Sequence, residues 1–464
     1  MTVHTAPLLC DGRRWSPDGW VLVTDGRVAD WGAGGTPPPA GHPVQRHGAL
    51  LPGPVDVCAR VTGYFNRMID GDALAPHRAC LELAAEAGVG VVLAVGGHTE
   101  PCAALAELGA GGGPSLLWTG PVLDAPPLAA TATRLVRDAP AARRAVEGLA
   151  ADGAYMVATG PSLDARLLGE VVAAAREHGM GVTHQPGRAD AVEAARAGVR
   201  VVRDLPRCLL GPAGQGRGGG RGPAAVVRAF ADPAVRHAAA ERLRVLAAHE
   251  VALLPLLHSW RRSALLDEAV AEPRLDRLVP MAPFHQYLLD MRGPGMVFGR
   301  RYARDHFGFE HLKGAAREEF DDGWAFLLEA LATAHASGVT LLPGSDALGV
   351  ALVPGYGLYD ELSWWEQAGL PRRTVLTAAT GGAFDTLTGR SQAITPWATG
   401  VLALEGDLEA PPALAALPPA LRTLAGPWPA DALSPSPTGP PKGAVRPHSG
   451  PPRPGPRDPQ ETRP

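Results

Sequence analysis

The chain has 464 residues, a net charge of −4 and 46% hydrophobic residues. This composition supplies apolar surface for a large folded core and excludes a chain that is disordered throughout. It lacks the basic excess of nucleic-acid-binding proteins, and no stretch approaches the roughly 18–20 apolar residues of a membrane span. The five cysteines are scattered and the N-terminus shows no signal-peptide pattern, so we expect a cytoplasmic protein.

The first predicted element is a β-hairpin, with strands at 20–23 and 27–31 and the strong turn signal Asp25-Gly26 between them. From about residue 50, short apolar runs alternate with alanine-rich helical stretches. The predicted strands are 49–57, 89–95, 115–119, 154–158, 181–184, 199–202, 251–257 and 339–342, and the predicted helices include 75–87, 165–178 and 189–197. Eight buried strands separated by helices predict an α/β fold, a parallel TIM-like (β/α)8 barrel.

The helix predicted at 165–178 has a signal at each end. Asp164 is placed to cap its N-terminus, and Gly179 is placed to end it. The strand that follows ends at His184. Barrel enzymes carry their chemistry at the carboxyl ends of their strands, so His184 is a candidate site residue.

Two segments depart from the alternation of strands and helices. Residues 280–315 are dense in aromatic side chains, His and Arg, and they are too long for a plain connection. They predict an insertion, which is either a lid that faces the substrate or a surface subdomain. Residues 431–464 contain 11 prolines and few apolar residues, so the end of the chain is predicted to be disordered.

Several segments, in their order and spacing, resemble the amidohydrolase superfamily. Leu-Leu-Pro-Gly-Pro-Val-Asp at 50–56 resembles the entry into its first strand, and Gly-Val-Thr-His at 181–184 resembles its strand-five histidine segment. The segments 197–204, 342–346 and 361–380 resemble strand six, the strand-eight aspartate motif and the helix that follows it. The resemblance covers roughly 8–410 and is nearest to imidazolonepropionase-like members. It implies a β-sandwich built from 1–50 and 395–427, a barrel over 51–394 and a tail at 428–464.

Members of that superfamily hydrolyse C–N bonds with one or two divalent metals. Their usual ligands are a His-x-His pair, a carbamylated lysine, two further histidines and a final aspartate. In this chain the corresponding positions carry Cys58, Arg60, a site near Ala158, His184, Asp204 and Asp346. The chain has only two lysines, Lys313 and Lys442, and neither is placed to supply the carbamate. These identities exclude the ordinary binuclear centre.

Arg60 is the strongest departure from the superfamily pattern. A guanidinium stays charged at physiological pH and would repel a divalent cation placed beside it. Beside Asp346 it would supply the positive charge that the metal supplies in other members. We therefore predict an Arg60–Asp346 ion pair and favour no metal. A single Zn, Fe or Mn ion, if bound, would take Cys58, His184, Asp204 and Asp346 as ligands. In the alternative to that metal site, Cys58 packs in the core and Asp204 pairs with Arg203 or Arg207.

Asp346 and His184 are the predicted catalytic residues, because a carboxylate and an imidazole at strand ends can exchange protons with a substrate. A structural carboxylate and a satisfied core histidine are the alternatives. The predicted substrate-binding residues are Arg60, His98, His258 and Tyr64.

Three functions stay open from the sequence. The first is hydrolysis of a non-peptide C–N bond in a small amide, cyclic amide or imine, with one metal or none. The second is a metal-free cyclisation, dehydration or isomerisation in specialised metabolism, with His184 and Asp346 as acid and base. The third is a catalytically inactive barrel with a binding role. The resemblance also implies a homo-oligomer, for which the sequence shows no surface signature.

Overall fold

The computed structural model describes residues 1–62, 72–108, 113–127, 132–214, 222–281, 312–349, 351–389, 397–428 and 433. Tyr64, most of the predicted insertion at 280–315 and nearly all of the predicted tail lie outside these residues. In chain order the strands are β1 Thr2–Cys10, β2 Trp15–Thr24, β3 Arg27–Gly32, β4 Val44–Arg46, β5 Ala49–Pro52, β6 Val55–Ala59, β7 Val91–Ala94, β8 Ser115–Trp118, β9 Val122–Asp124, β10 Thr133–Leu135, β11 Met156–Thr159, β12 Gly181–His184, β13 Val201–Arg203, β14 Ala252–Leu254, β15 Val401–Leu404 and β16 Leu421–Ala425.

The helices follow the alternation that the sequence predicts. They are α1 Ala75–Glu86, α2 Thr99–Leu108, α3 Ala139–Ala151, α4 Ala165–Glu177, α5 Ala191–Ala197, α6 Leu205–Gly214, α7 Pro223–Arg228, α8 Pro233–Ala248, α9 Leu257–Ala264, α10 Leu266–Val270, α11 Ala315–Ala336, α12 Tyr356–Gln367, α13 Arg372–Thr377 and α14 Ala383–Thr388. Within the described part of the chain, no helix is long and apolar enough to cross a membrane.

Local signals in the sequence explain several of these elements. The hairpin of β2 and β3 turns at Asp25-Gly26, as predicted, with both turn residues at positive φ. The Asp164 side chain accepts a hydrogen bond from the Leu167 backbone N–H, which confirms the predicted cap of α4. Gly179, just beyond that helix, has a φ of +69°, which a glycine adopts without strain.

Both ends of the chain contribute to one seven-stranded sheet in the order β16–β15–β5–β1–β2–β3, with β4 paired to β1. Its apolar side chains form a separate small core around Trp31 and Trp397, whose rings meet edge to face at 5.8 Å. The predicted β-sandwich requires a second sheet packed on this one. The strands that the structure describes form no such second sheet at the chain ends, so the sandwich is not shown.

The middle of the chain forms parallel sheets, as the alternating pattern predicts. One has the order β10–β9–β11–β12–β13–β14 and the other the order β6–β7–β8, and all their pairings are parallel. The predicted eighth strand, 339–342, is reduced to an isolated bridge between Leu253 and Leu341. The two sheets are not continuous with each other, so a mixed α/β fold with parallel sheets is confirmed and a closed barrel stays a prediction.

Candidate functional site

The carboxyl ends of the parallel strands meet at the segment that follows the isolated bridge. Leu342 N–H donates to the Leu253 carbonyl beside β14, at 2.8 Å. On its other side the segment bonds β6, because Val57 N–H donates to the Pro343 carbonyl at 2.9 Å and Asp346 N–H to the Cys58 carbonyl at 2.7 Å. Asp346 has a φ of +50°, a left-handed conformation that aspartate tolerates better than most residues. This segment therefore brings Asp346 against the end of β6.

The predicted ion pair between Arg60 and Asp346 is present. Arg60 Nε lies 2.6 Å from Asp346 Oδ1, and Arg60 Nη2 lies 3.2 Å from Oδ2, which is the two-pronged geometry that guanidinium groups favour. The Ser259 hydroxyl also donates to Asp346 Oδ2, at 2.6 Å. The carboxylate is almost fully buried, whereas 38% of the Arg60 side chain is exposed. The pair thus has one buried anion and one cation that reaches solvent.

A second carboxylate, Asp56, lies beneath this pair. Its Oδ1 accepts from the backbone N–H groups of Ser345 at 2.9 Å and Cys58 at 3.2 Å, and its Oδ2 accepts from the Ser345 hydroxyl at 2.5 Å. Burial raises the pKa of Asp56, these hydrogen bonds oppose the rise and the nearby Asp346 charge adds to it, so that the pKa lies at about 6. A cavity of about 10 Å³ between Asp56 and Cys80 is too small for anything larger than one water molecule. Asp56 therefore organises the backbone that carries Asp346.

Helix α9 supplies Ser259, and a distant carboxylate holds the start of this helix. Glu361 Oε2 accepts from the His258 backbone N–H at 2.7 Å, and Glu361 Oε1 accepts from the Trp365 indole at 3.1 Å. A carboxylate at a helix N-terminus satisfies the donors that the first turn leaves open. Burial raises the pKa of Glu361 to about 7. Neither Ser259 nor Glu361 was predicted from the sequence.

Asp204, a predicted ligand position, lies just after β13 with a φ of +71°. Its Oδ2 accepts from the Gln185 amide at 2.6 Å, and its Oδ1 accepts from the Trp260 indole at 3.4 Å. Arg207 Nε lies 3.9 Å from Asp204 Oδ2. This is one of the two ion pairs that the sequence offered as an alternative to metal binding by Asp204. Asp204 is therefore held by protein donors on both oxygens.

His184, predicted as catalytic, ends β12 and is fully buried. Its Nε2 lies 3.1 Å from the Ala189 carbonyl, which fixes a proton on that nitrogen, and its Nδ1 lies 2.8 Å from the Thr159 hydroxyl. Burial lowers the pKa of His184 to about 4, so the ring is neutral at pH 7. Both ring nitrogens have structural partners, and a catalytic role for His184 stays a prediction.

The predicted substrate-binding histidines lie in different surroundings. His98 is exposed at the start of α2, beyond the end of β7. His258 is buried in α9, with Nε2 3.3 Å from Asp360 Oδ2, and burial together with the nearby Arg262 lowers its pKa to about 3. Roles for both in binding substrate stay predictions, as does a role for Tyr64.

The four residues named for a single metal do not fit that role. The Arg60 guanidinium, whose Nε lies 2.6 Å from Asp346 Oδ1, would repel a divalent cation bound to that carboxylate, and protein donors contact both oxygens of Asp204. A metal ligand needs a free lone pair, and His184 already uses both of its nitrogens. Burial, with a further contribution from Asp346, raises the pKa of the Cys58 thiol above its usual range, which opposes the thiolate form that metals bind. Among the described residues, no group of three or more His, Cys, Asp or Glu side chains could hold a metal ion.

Arg203 also lies at the carboxyl ends of the parallel strands. From the sequence, it was predicted only as an alternative partner of Asp204. It is the last residue of β13, and its side chain is buried with 5% exposure. Its charge acts on Cys58, Asp124 and His184, which lie at the ends of three other strands. The Nε atom of Arg203 is enclosed and has no hydrogen-bond partner. A buried charge at a strand end was the signal that could have identified it.

Solved structures resemble this chain over nearly its whole length. A Xaa-Pro dipeptidase crystallised with bound methionine has 14% sequence identity and a TM-score of 0.59, and the match covers 91% of this chain and 99% of that one. Bottromycin amidohydrolase has 20% identity and a TM-score of 0.60, with 93% and 87% covered. An ochratoxinase from A. niger has 16% identity and a TM-score of 0.58, with 92% and 95% covered. The chain therefore shares the overall fold of these three structures.

The chain resembles these proteins in structure but not in sequence. The sequence matches no protein-family model, and it matches no curated protein sequence. At identities between 14% and 20%, these three structures show a shared fold, and the chemistry has to be argued from the residues of the site.

Proposed function

We propose that the chain hydrolyses a C–N bond of a small amide, cyclic amide or imine at the carboxyl ends of its parallel strands, without a divalent metal among Cys58, His184, Asp204 and Asp346. The amidohydrolase-superfamily fold supports hydrolysis, since similar structures include a dipeptidase, an amidohydrolase and an ochratoxinase. The observation that carries the proposal is the Arg60–Asp346–Ser259 cluster, which combines a cation, a carboxylate and a hydroxyl.

In this proposal Asp346 is the base and Arg60 is the electrostatic stabiliser. A water molecule attacks the carbonyl carbon and gives a proton to the Asp346 carboxylate, and the departing nitrogen receives that proton when the C–N bond breaks. The Arg60 guanidinium carries a fixed positive charge beside Asp346, and 38% of its side chain is exposed to solvent. It is therefore placed to donate to the oxygen on which negative charge develops. Ser259 and Asp56 orient the carboxylate.

The test is hydrolysis of a panel of small amides in the presence of excess chelator. The panel includes hydantoin, N-acetylglycine and glycyl-proline, with the Asp346→Asn and Arg60→Met variants measured beside the wild type. We expect hydrolysis that the chelator leaves unchanged and that Asp346→Asn reduces by at least about 100-fold. Loss of activity with the chelator would contradict the metal-free proposal, and no hydrolysis of any member would contradict hydrolysis itself.

The same cluster supports a second candidate, a proton-transfer reaction such as a cyclisation, dehydration or isomerisation. Asp346 serves such a reaction equally well, because a buried carboxylate beside a cation can move a proton without an attacking water. Turnover in ¹⁸O-labelled water distinguishes the two functions. Incorporation of one label into the product supports hydrolysis, whereas a product that carries no label supports proton transfer.

A further inference from the structure

We infer that Arg203 anchors a binding site for the carboxylate group of a small ligand, at the carboxyl ends of the parallel strands. The inference concerns binding, so it holds whether or not the chain hydrolyses what it binds. Arg203 lies at the end of β13, where it is in register with Leu254 of β14. This is the edge of the sheet at which Asp346 and Arg60 also lie.

Arg203 has no counter-ion within the described part of the chain. Its guanidinium donates no hydrogen bond there, and its Nε atom is fully enclosed without a partner. No carboxylate of the described residues lies within ion-pair distance of it, although Asp124 is near enough to act on it electrostatically. By contrast, Arg262 and Arg274, whose side chains are 15% and 24% exposed, both pair with Glu272. Burial of an unpaired guanidinium is strongly unfavourable, and a bound anion would remove that cost.

The charges around Arg203 favour a ligand group with a single negative charge. Arg60 is already neutralised by Asp346, and burial keeps His184 and the Cys58 thiol uncharged. Asp124 accepts backbone hydrogen bonds from Ala125 and Ser162 at 2.9 Å each, and its charge offsets part of that of Arg203. The net excess is therefore at most one positive charge. A carboxylate matches this excess and the planar fork of a guanidinium, whereas a phosphate dianion would leave charge uncompensated.

The location of the site also orients what it binds. The charge of Arg203 acts on Cys58, which lies 3.9 Å from Asp346 Oδ1. A ligand whose carboxylate rests on Arg203 would therefore extend toward the Arg60–Asp346 pair. If the proposed hydrolysis also holds, the expected substrates are amides that carry a carboxylate a few bonds from the C–N bond.

The test measures thermal unfolding of the full chain at constant ionic strength, with increasing concentrations of four probes. These are acetate, N-acetylglycine, its uncharged analogue N-acetylglycinamide and inorganic phosphate. Arg203→Met removes the charge, and Arg143→Met is a matched control at an exposed arginine that pairs with Glu177. We expect both carboxylates to raise the Tm of the wild type and of the control saturably. We expect at least about 10-fold weaker binding to the Arg203→Met variant.

Three results would overturn the inference. They are equal carboxylate binding by the wild type and Arg203→Met, equal stabilisation by N-acetylglycine and its uncharged analogue, and tighter binding of phosphate than of either carboxylate. If Arg203→Met does not fold, Arg203→Lys replaces it, because lysine keeps the charge but lacks the planar fork. That variant is expected to bind N-acetylglycine about 10-fold more weakly, and unchanged affinity would overturn the inference. None of these measurements depends on turnover. A failure of the carboxylate-binding inference can therefore be distinguished from a failure of the proposed hydrolysis.

Discussion

Removal of Arg60 tests the electrostatics of the site most fully. Arg60→Met leaves the Asp346 carboxylate buried, and of the described side chains the Ser259 hydroxyl and the Cys58 thiol are then the ones near its oxygens. Loss of one partner of a buried ion pair costs about 3–5 kcal/mol. Because 38% of the Arg60 side chain is exposed, water replaces part of the lost interaction, and we expect about 2 kcal/mol. Asp346→Asn should cost less, since it leaves no buried charge unpaired.

The assay is a double-mutant cycle of Arg60→Met and Asp346→Asn, measured by urea unfolding at pH 7. The structure predicts a coupling energy of about 1–3 kcal/mol, because the two groups share two hydrogen bonds. The double variant should then be more stable than the sum of the single effects implies. A coupling energy below about 0.5 kcal/mol would mean that solvent balances the Asp346 charge. It would contradict the prediction that Arg60 stabilises the buried carboxylate.

Three further predictions concern groups around this pair. Ser259→Ala should lower the free energy of unfolding by about 1–3 kcal/mol, because a buried carboxylate loses a donor, and a change below 0.5 kcal/mol in urea unfolding would contradict this. Between about pH 4.5 and 7, folded Glu361 keeps a proton that the unfolded chain releases, so stability falls as the pH rises, by about 3 kcal/mol at most. The Glu361→Gln variant should lose this slope, and an unchanged pH profile would exclude it. Buried His184 has the opposite sign: its stabilisation is complete above pH 6.5 and is lost as the pH falls to about 4, by about 3 kcal/mol at most. The His184→Gln variant should be less acid-sensitive than the wild type, and equal acid midpoints would argue against a neutral buried ring.

The sequence predicted those parts of the fold that depend on short-range signals. Asp25-Gly26 and Asp164 act on residues within three positions, so their effects could be predicted directly. Strand 181–184 was predicted with its observed bounds, because a glycine turn precedes it and its apolar run is short. The eighth strand was overpredicted, since an apolar run does not reveal that its backbone pairs over a single bridge.

The candidate site could be predicted only in part, because its contacts join distant parts of the chain. The Arg60–Asp346 pair could be predicted, since the resemblance placed both residues at strand ends. Ser259 contacts Asp346 across 87 positions, and Glu361 caps α9 from 103 positions away, and no local pattern signals either contact. Arg203 was passed over because an arginine next to an aspartate suggests an ion pair, whereas the fold sends Asp204 to other partners.

We propose that Arg60 supplies beside Asp346 the positive charge that a divalent metal supplies in the amidohydrolase superfamily, which the sequence resembles. Metal content tests this claim most directly, measured by plasma mass spectrometry on protein purified without added metal or a metal-binding tag. We expect well under about 0.1 equivalent each of zinc, iron and manganese, and the same result for the Asp346→Asn variant. About one equivalent of one metal in the wild type, lost in Asp346→Asn or His184→Gln, would contradict it.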